Sequence, residues 1–169
     1  MKKTFLSLFI VCIVTCCAAQ PDKEYTFNAG AEIGYATGDF NANHKLGFAV
    51  SVQGEYSFSE AASVTASVGF LSFATKTLYD TLPSGIFAKP QPSFTGVPLL
   101  VGLKFNIADK MYGHPQAGLV FVNSVVASTY SMCVGMQTSP HVDFSLRYQS
   151  IIKARVIGSF IMARAAYVF

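Results

Sequence analysis

From Leu46 to Phe58 the side chains alternate between two kinds, and this period of two most restricts what the chain can become. Leu46, Phe48, Val50, Val52, Tyr56 and Phe58 fall on one face, with Gly54 the one gap. Gly47, Ala49, Ser51, Gln53, Glu55 and Ser57 fall on the other. Alternation this long belongs to a strand and excludes an amphipathic helix. The chain ends in the same way, with Ile161, Ala163, Ala165, Tyr167 and Phe169 set against Met162, Arg164, Ala166 and Val168. Phe27 to Tyr35, Val64 to Phe70, Val97 to Asn106 and Val142 to Gln149 repeat the pattern. Weaker segments run from Tyr112 to Asn123, where Pro115 cannot donate to a ladder, and from Tyr130 to Gln137. The expectation is therefore eight antiparallel strands.

The apolar face of these strands meets no complementary helix in the sequence. Hydrophobic residues make up 51% of the chain and charged residues only 12%, about half the share in a soluble domain. Beyond the first twenty residues no apolar run approaches the ~20 residues that a spanning helix requires. A chain that enters a bilayer without helices has to pair its backbone groups between strands closed into a barrel. The signature of such a barrel is segments of about ten alternating residues separated by turns, with aromatic residues near both interfaces. Tyr56 with Phe58, and Tyr167 with Phe169, stand where such an aromatic girdle belongs.

The first nineteen residues read differently. Lys2 and Lys3 precede a short apolar stretch from Phe5 to Val14, and Cys17-Ala18-Ala19 supplies small residues for cleavage before Gln20. This is the pattern of a secretory signal peptide, leaving residues 20–169 as one barrel domain. Its removal lowers the net charge from +3 to +1, so no charge argument for nucleic acid remains. It also removes Cys12, Cys16 and Cys17, and Cys133 is left without a disulfide partner. Lipid attachment at Cys16 or Cys17 is the competing reading, but Ile13-Val14-Thr15 and Val14-Thr15-Cys16 fit its Leu-small-small pattern poorly.

Three stretches carry a resemblance. These are Val97-Pro98-Leu99-Leu100-Val101-Gly102-Leu103-Lys104-Phe105, Val142-Asp143-Phe144-Ser145-Leu146-Arg147-Tyr148-Gln149, and Ala163-Arg164-Ala165-Ala166-Tyr167-Val168-Phe169. Together they resemble the outer-membrane protein β-barrel domain family, the small porin-like barrels of Gram-negative bacteria. The resemblance implies an antiparallel up-and-down barrel in the outer membrane, in contact with its lipid and lipopolysaccharide. It implies no catalytic motif and no cofactor. The terminal aromatic pattern resembles the signal read by the barrel-assembly machinery, with Tyr167 and Phe169 at its aromatic positions and Arg164 where Gly is usual. An interfacial aromatic that ends a strand is the alternative reading of Phe169.

On this plan Ser59-Glu60-Ala61, Ala108-Asp109-Lys110 and Thr138-Ser139-Pro140 are short periplasmic turns. Gly38 to Lys45 and Thr75 to Thr95 are outer loops. The longer loop carries Leu78, Tyr79, Ile86 and Phe87 beside Lys76, Asp80 and Lys89, residues that either bind a surface ligand or pack on the barrel rim.

The polar faces of the strands hold Glu32, Glu55, Lys104, Asp143, Arg147 and Arg164. An eight-stranded barrel is only wide enough for its side chains to fill it. Three acids and three bases inside it form a neutral ion-pair plug, because an unpaired buried charge costs several kcal/mol. The functional alternative is a narrow gated channel or a proton relay. A lipid A-modifying enzyme is a further alternative and needs a nucleophile, a base and an acid close together. His141, Asp143 and Ser145 share a face by alternation, but four residues of strand separate His and Ser by roughly 13 Å. His44, His114 and His141 are isolated and Cys133 has no thiol partner, so no metal spacing appears. The leading expectation is a non-enzymatic barrel with a structural, adhesive or surface-interaction role.

Overall fold

A computed structural model describes residues 25–38, 40–75, 78–82, 85–89, 93–122, 125–153 and 155–169. Of residues 43, 78–82, 85–89 and 155–157 it describes the backbone alone. Residues 1–24, which include the expected signal peptide and its three cysteines, lie outside the described residues.

The strands are β1 (Tyr25–Thr37), β2 (His44–Ser57), β3 (Ala62–Thr75), β4 (Leu78–Leu82), β5 (Gly85–Lys89), β6 (Phe94–Ala108), β7 (Met111–Val122), β8 (Val125–Ser139), β9 (Val142–Lys153) and β10 (Arg155–Val168). One short helix, α1 (Phe40–Asn43), joins β1 to β2. Eight strands close in the order β1-β10-β9-β8-β7-β6-β3-β2, each antiparallel to both neighbours. Strands β4 and β5 form a separate hairpin on the connection from β3 to β6.

The register fixes the barrel's width. Followed from Thr37 across β10, β9, β8, β7, β6, β3 and β2, it returns to β1 at Phe27, a stagger of ten residues. Eight strands leave an interior that side chains can fill. Both prolines in the wall sit where a ladder is interrupted. The β6–β7 ladder passes from Gly102↔Gln116 to Phe105↔Gly113, without the two pairs that would include Pro115. The β3–β6 ladder likewise skips from Val68↔Leu99 to Leu71↔Gly96, opposite Pro98. Each ring turns its missing N–H to one neighbour and leaves the ladder on the other side whole: Pro115 pairs with Met132 and Pro98 with Val120.

All eight expected strands are present, and most run further than alternation alone indicates. β3 extends to Thr75, β8 begins at Val125 and β9 extends to Lys153. The expected long loop from Thr75 to Thr95 proves shorter, since it contains the β4–β5 hairpin; the side chains of Leu78, Tyr79, Asp80, Ile86, Phe87 and Lys89, and all of Lys76, lie outside the description. The expected loop from Gly38 to Lys45 holds α1, entered through Gly38 at a φ of 59°. Only glycine adopts that left-handed conformation at little cost.

Tyr25 and Phe169, the first and last described residues, and the short turns occupy one end of the barrel, here the terminal end. Helix α1 and the β4–β5 hairpin occupy the other, the loop end. Outward-facing residues include Phe48, Val50, Val52, Leu99, Val101, Leu103, Phe144, Leu146 and Ile161, all exposed. In water, so continuous an apolar wall is an aggregation surface; in hydrocarbon it is the matching one. The environment decides a substitution's effect. Val101 is 63% exposed, so Val101→Arg in water changes stability little. In phospholipid vesicles the same change is expected to cost ~2–4 kcal/mol. Urea unfolding of the reconstituted variant, followed by boiling-sensitive gel mobility, measures it; a midpoint equal to wild type removes the bilayer-spanning reading.

Candidate functional site

The charges of the interior and its aromatic cluster occupy opposite halves. From the terminal end to mid-barrel the interior is polar. Glu32 on β1 stands opposite Arg164 on β10, and Arg147 on β9 lies one inward position further toward the loop end. Glu32 Oε1 lies 3.2 Å from Arg147 Nη1 and 3.5 Å from Arg164 Nε, and it accepts a hydrogen bond from Ser51 Oγ at 3.1 Å. Arg164 also donates through Nη2 to Asn28 Oδ1 at 2.6 Å, and its Nη1 lies 3.9 Å from Asp143 Oδ1. Tyr112 donates to the same Asp143 oxygen at 2.7 Å. Glycine makes room for this cluster: a Cβ at Gly30 would come 2.8 Å from the Arg164 guanidinium.

Nearer the terminal end, Lys104 Nζ pairs with Glu55 Oε2 at 3.0 Å and lies 4.4 Å above the Tyr112 ring. The six charged residues singled out from the sequence thus all project into the lumen and engage one another. The alternation of each strand decided their direction. Neutral hydrogen bonds complete the polar wall. His114 Nε2 and Thr65 Oγ1 are 2.7 Å apart and Ser131 donates to Gln116 Oε1 at 3.1 Å, while at the level of Phe160 and Ile151 Gln149 donates to Thr129 Oγ1 at 3.0 Å.

A cavity of about 750 Å³ leads from the terminal end to this polar zone. Glu60, Asp109 and Lys110 stand at its rim, while Glu55, Lys104, Tyr112 and Asp143 line its inner wall. Toward the loop end the lumen becomes apolar. Phe73 and Phe160 are fully buried with ring centroids 4.8 Å apart. Phe40, from α1, inserts beside them and packs edge-on against Phe73 at 5.5 Å and Phe94 at 5.0 Å. Leu71, Val120, Val122, Ile151 and Met162, with three alanines, also belong to this cluster, which fills the lumen toward the loop end.

This plug is the part of the interior that sequence reasoning missed. Its signal was present at Leu71 and Phe73, where the inward face of β3 changes from Ser63, Thr65 and Ser67 to large apolar side chains. Phe40 carried no comparable signal, because alternation says nothing about a residue on a connection.

Catalytic geometry is not assembled around His141. Strand β9 starts at Val142, so His141 lies in the turn before it rather than on the face of Ser145. Its Nδ1 lies 3.0 Å from the Val168 carbonyl oxygen, and its ring stacks on Tyr167 at 5.6 Å. Asp143 and Ser145 are buried inside the lumen. Among the described residues no group of three His, Cys, Asp or Glu side chains is placed to hold a metal ion. Cys133 is buried, and its cross-strand neighbours are His114 and Arg147. Tyr167 and Phe169 lie on the outer surface at the terminal end, 51% and 52% exposed, with rings 5.2 Å apart. The Phe169 N–H donates to the Phe27 carbonyl at 2.9 Å, so the last residue is held to β1.

The two ion-pair zones differ in access to water, and substitution should separate them. Glu32→Gln takes the carboxylate from Arg147 and leaves Arg164 with Asp143 at 3.9 Å, at a side chain 1% exposed, and the expected loss is about 3–5 kcal/mol. Glu55→Gln leaves Lys104 beside the cavity and is expected to cost nearer the ~1 kcal/mol of a screened pair. Equal urea midpoints for the two variants would contradict this difference.

No family model and no curated protein sequence matches the chain. Solved structures do. Ail, the attachment invasion locus protein of Yersinia pestis, is 14% identical with a TM-score of 0.55, over 88% of this chain and 100% of that one. Its complex with the heparin analogue sucrose octasulfate aligns equally, at 14% identity and a TM-score of 0.56. Neisserial surface protein A is 12% identical with a TM-score of 0.54, over 88% of this chain and 98% of that one. At such identities the likeness is one of fold. The chain has the fold and the lipid-facing surface of an eight-stranded outer-membrane barrel.

Proposed function

We propose that this outer-membrane barrel is a non-enzymatic surface-interaction protein whose outer connections meet ligands outside the cell. The observation that carries the reading is the aromatic plug: with the loop end closed, contact with the exterior falls to the connections around it. The terminal end is then periplasmic and the loop end external. The ion pairs of Glu32, Glu55, Lys104, Asp143, Arg147 and Arg164 serve to neutralise and fill the lumen rather than to conduct. Tyr167 and Phe169, exposed at the periplasmic end, serve as the signal for the barrel-assembly machinery. The lipid wall stands in outer-membrane lipid and lipopolysaccharide.

The outer connections are basic. In sequence, residues 38–45, 75–95 and 153–155 hold Lys45, Lys76, Lys89, Lys153 and Arg155 against Asp39 and Asp80; of these, Lys45 near the start of β2 and Lys153 at the end of β9 are exposed. The periplasmic turns carry Glu60 and Asp109 against Lys110. A positive external rim suits a polyanion, and Ail has been solved with a heparin analogue. The ligand class supported is therefore a sulfated or phosphorylated saccharide, held by electrostatics that salt screens.

The purified barrel is expected to bind immobilised heparin and to elute at lower salt when Lys45 and Lys153 are both replaced by Glu. An unchanged elution position would remove the polyanion reading. Lipid A masses from cells with and without the protein are expected to coincide, and planar bilayers holding it to stay silent. A mass change would make it an enzyme, and stepwise conductance altered at Arg147 or Arg164 would make it a channel.

A further inference from the structure

The plug is made of two kinds of parts. Phe73, Phe160, Val122 and Ile151 stand on barrel strands held by ladders on both sides, and Phe94 stands on a strand paired to Phe73. Phe40 alone comes from a connection, the single turn of α1. Its ring is nonetheless accommodated closely. A Cβ at Gly158 would come 2.9 Å from that ring, and His44 stacks on it at 4.3 Å. The apolar site at the external mouth is thus walled by barrel residues and filled by a part of the same chain that stands on a connection. Gly38, in its left-handed conformation, is the joint on which α1 leaves β1.

We propose that this pocket is a binding site for an anionic amphiphile from outside the cell, a fatty-acid-like molecule whose apolar part takes the place of Phe40. It rests on the reading of the loop end as external. Two features set the ligand class. Apart from His44, the pocket walls are aromatic and aliphatic, so the inserted part is apolar. Lys45, next to His44, and Lys153, two residues beyond Ile151, are both exposed at the mouth and complement an anionic head. Phe40 therefore acts as an internal competitor. Removing it does not dismantle the pocket, because every other wall belongs to the barrel. Replacing it with a smaller residue leaves an apolar cavity of the sort that takes up apolar ligands rather than water.

The competition is measured with the barrel reconstituted in dimyristoylphosphatidylcholine vesicles and the probe 1-anilinonaphthalene-8-sulfonate, whose rings and sulfonate match the two features. Fluorescence from protein-free vesicles is subtracted. Phe40→Ala is expected to raise affinity at least about tenfold over wild type, as removal of a competing occupied state does. Adding Gly158→Leu, which refills the space, is expected to return affinity to the wild-type level. Lys45→Glu with Lys153→Glu in the Phe40→Ala background is expected to lower it again. Boiling-sensitive gel mobility checks that each barrel is closed, and Phe40→Leu makes the same test if the alanine variant does not fold. An intact Phe40→Ala or Phe40→Leu barrel that binds no more tightly than wild type overturns the proposal, as does binding that Gly158→Leu leaves undiminished. Heparin retention does not depend on Phe40, so failure here is distinct from failure of the polyanion reading.

Discussion

Every backbone N–H and C=O in hydrocarbon needs a partner within the protein, and the architecture depends on that requirement. A sheet meets it by closing, so that no strand is an edge. In this chain closure comes from the pairing of β1 with β10, which runs from Asn28↔Val168 to Thr37↔Ser159. The prolines are consistent with it. Pro98 and Pro115 each interrupt one ladder and keep the other, so the wall carries two local gaps without opening.

Closure with eight strands dictates a narrow lumen, and the narrow lumen dictates how charge is held inside it. The deepest charges share one carboxylate oxygen, Glu32 Oε1, between two guanidinium groups and a hydroxyl. The Lys104–Glu55 pair lies closer to the cavity at the terminal end, where water lowers the cost of its burial. Farther along, the aromatic cluster replaces charge altogether. The interior is thus graded, charged and reached by the cavity toward the terminal end and apolar toward the loop end. That gradient gives the mouth at the loop end a chemistry of its own, separate from that of the ion pairs.

Much of this was legible from alternation. Once the period of two was assigned, the directions of Glu32, Glu55, Lys104, Asp143, Arg147 and Arg164 followed, because neighbouring side chains on a strand point to opposite faces. The short turns at Ser59-Glu60-Ala61 and Ala108-Asp109-Lys110 were legible for the same reason, since they interrupt the period. His141 was misplaced because alternation was carried one residue past the start of β9, into a turn that turns its ring onto Tyr167. The β4–β5 hairpin was hidden in a segment rich in Pro and Gly that reads as loop.

By itself the sequence determined that this chain makes strands, which side of each strand is greasy, and that the greasy sides require a bilayer. Those are local properties, carried by the residue and its nearest neighbours. Only the tertiary structure decided which inward residues meet. Arg164 reaches Asn28 across 136 positions of chain, and Phe40 meets Phe94 and Phe160's neighbour Phe73 because register and closure bring the ends of β3, β6 and β10 together. Which charge pairs with which, and whether the mouth is open or filled, depends on register and closure. These are properties of the whole ring of strands, and no segment contains them alone.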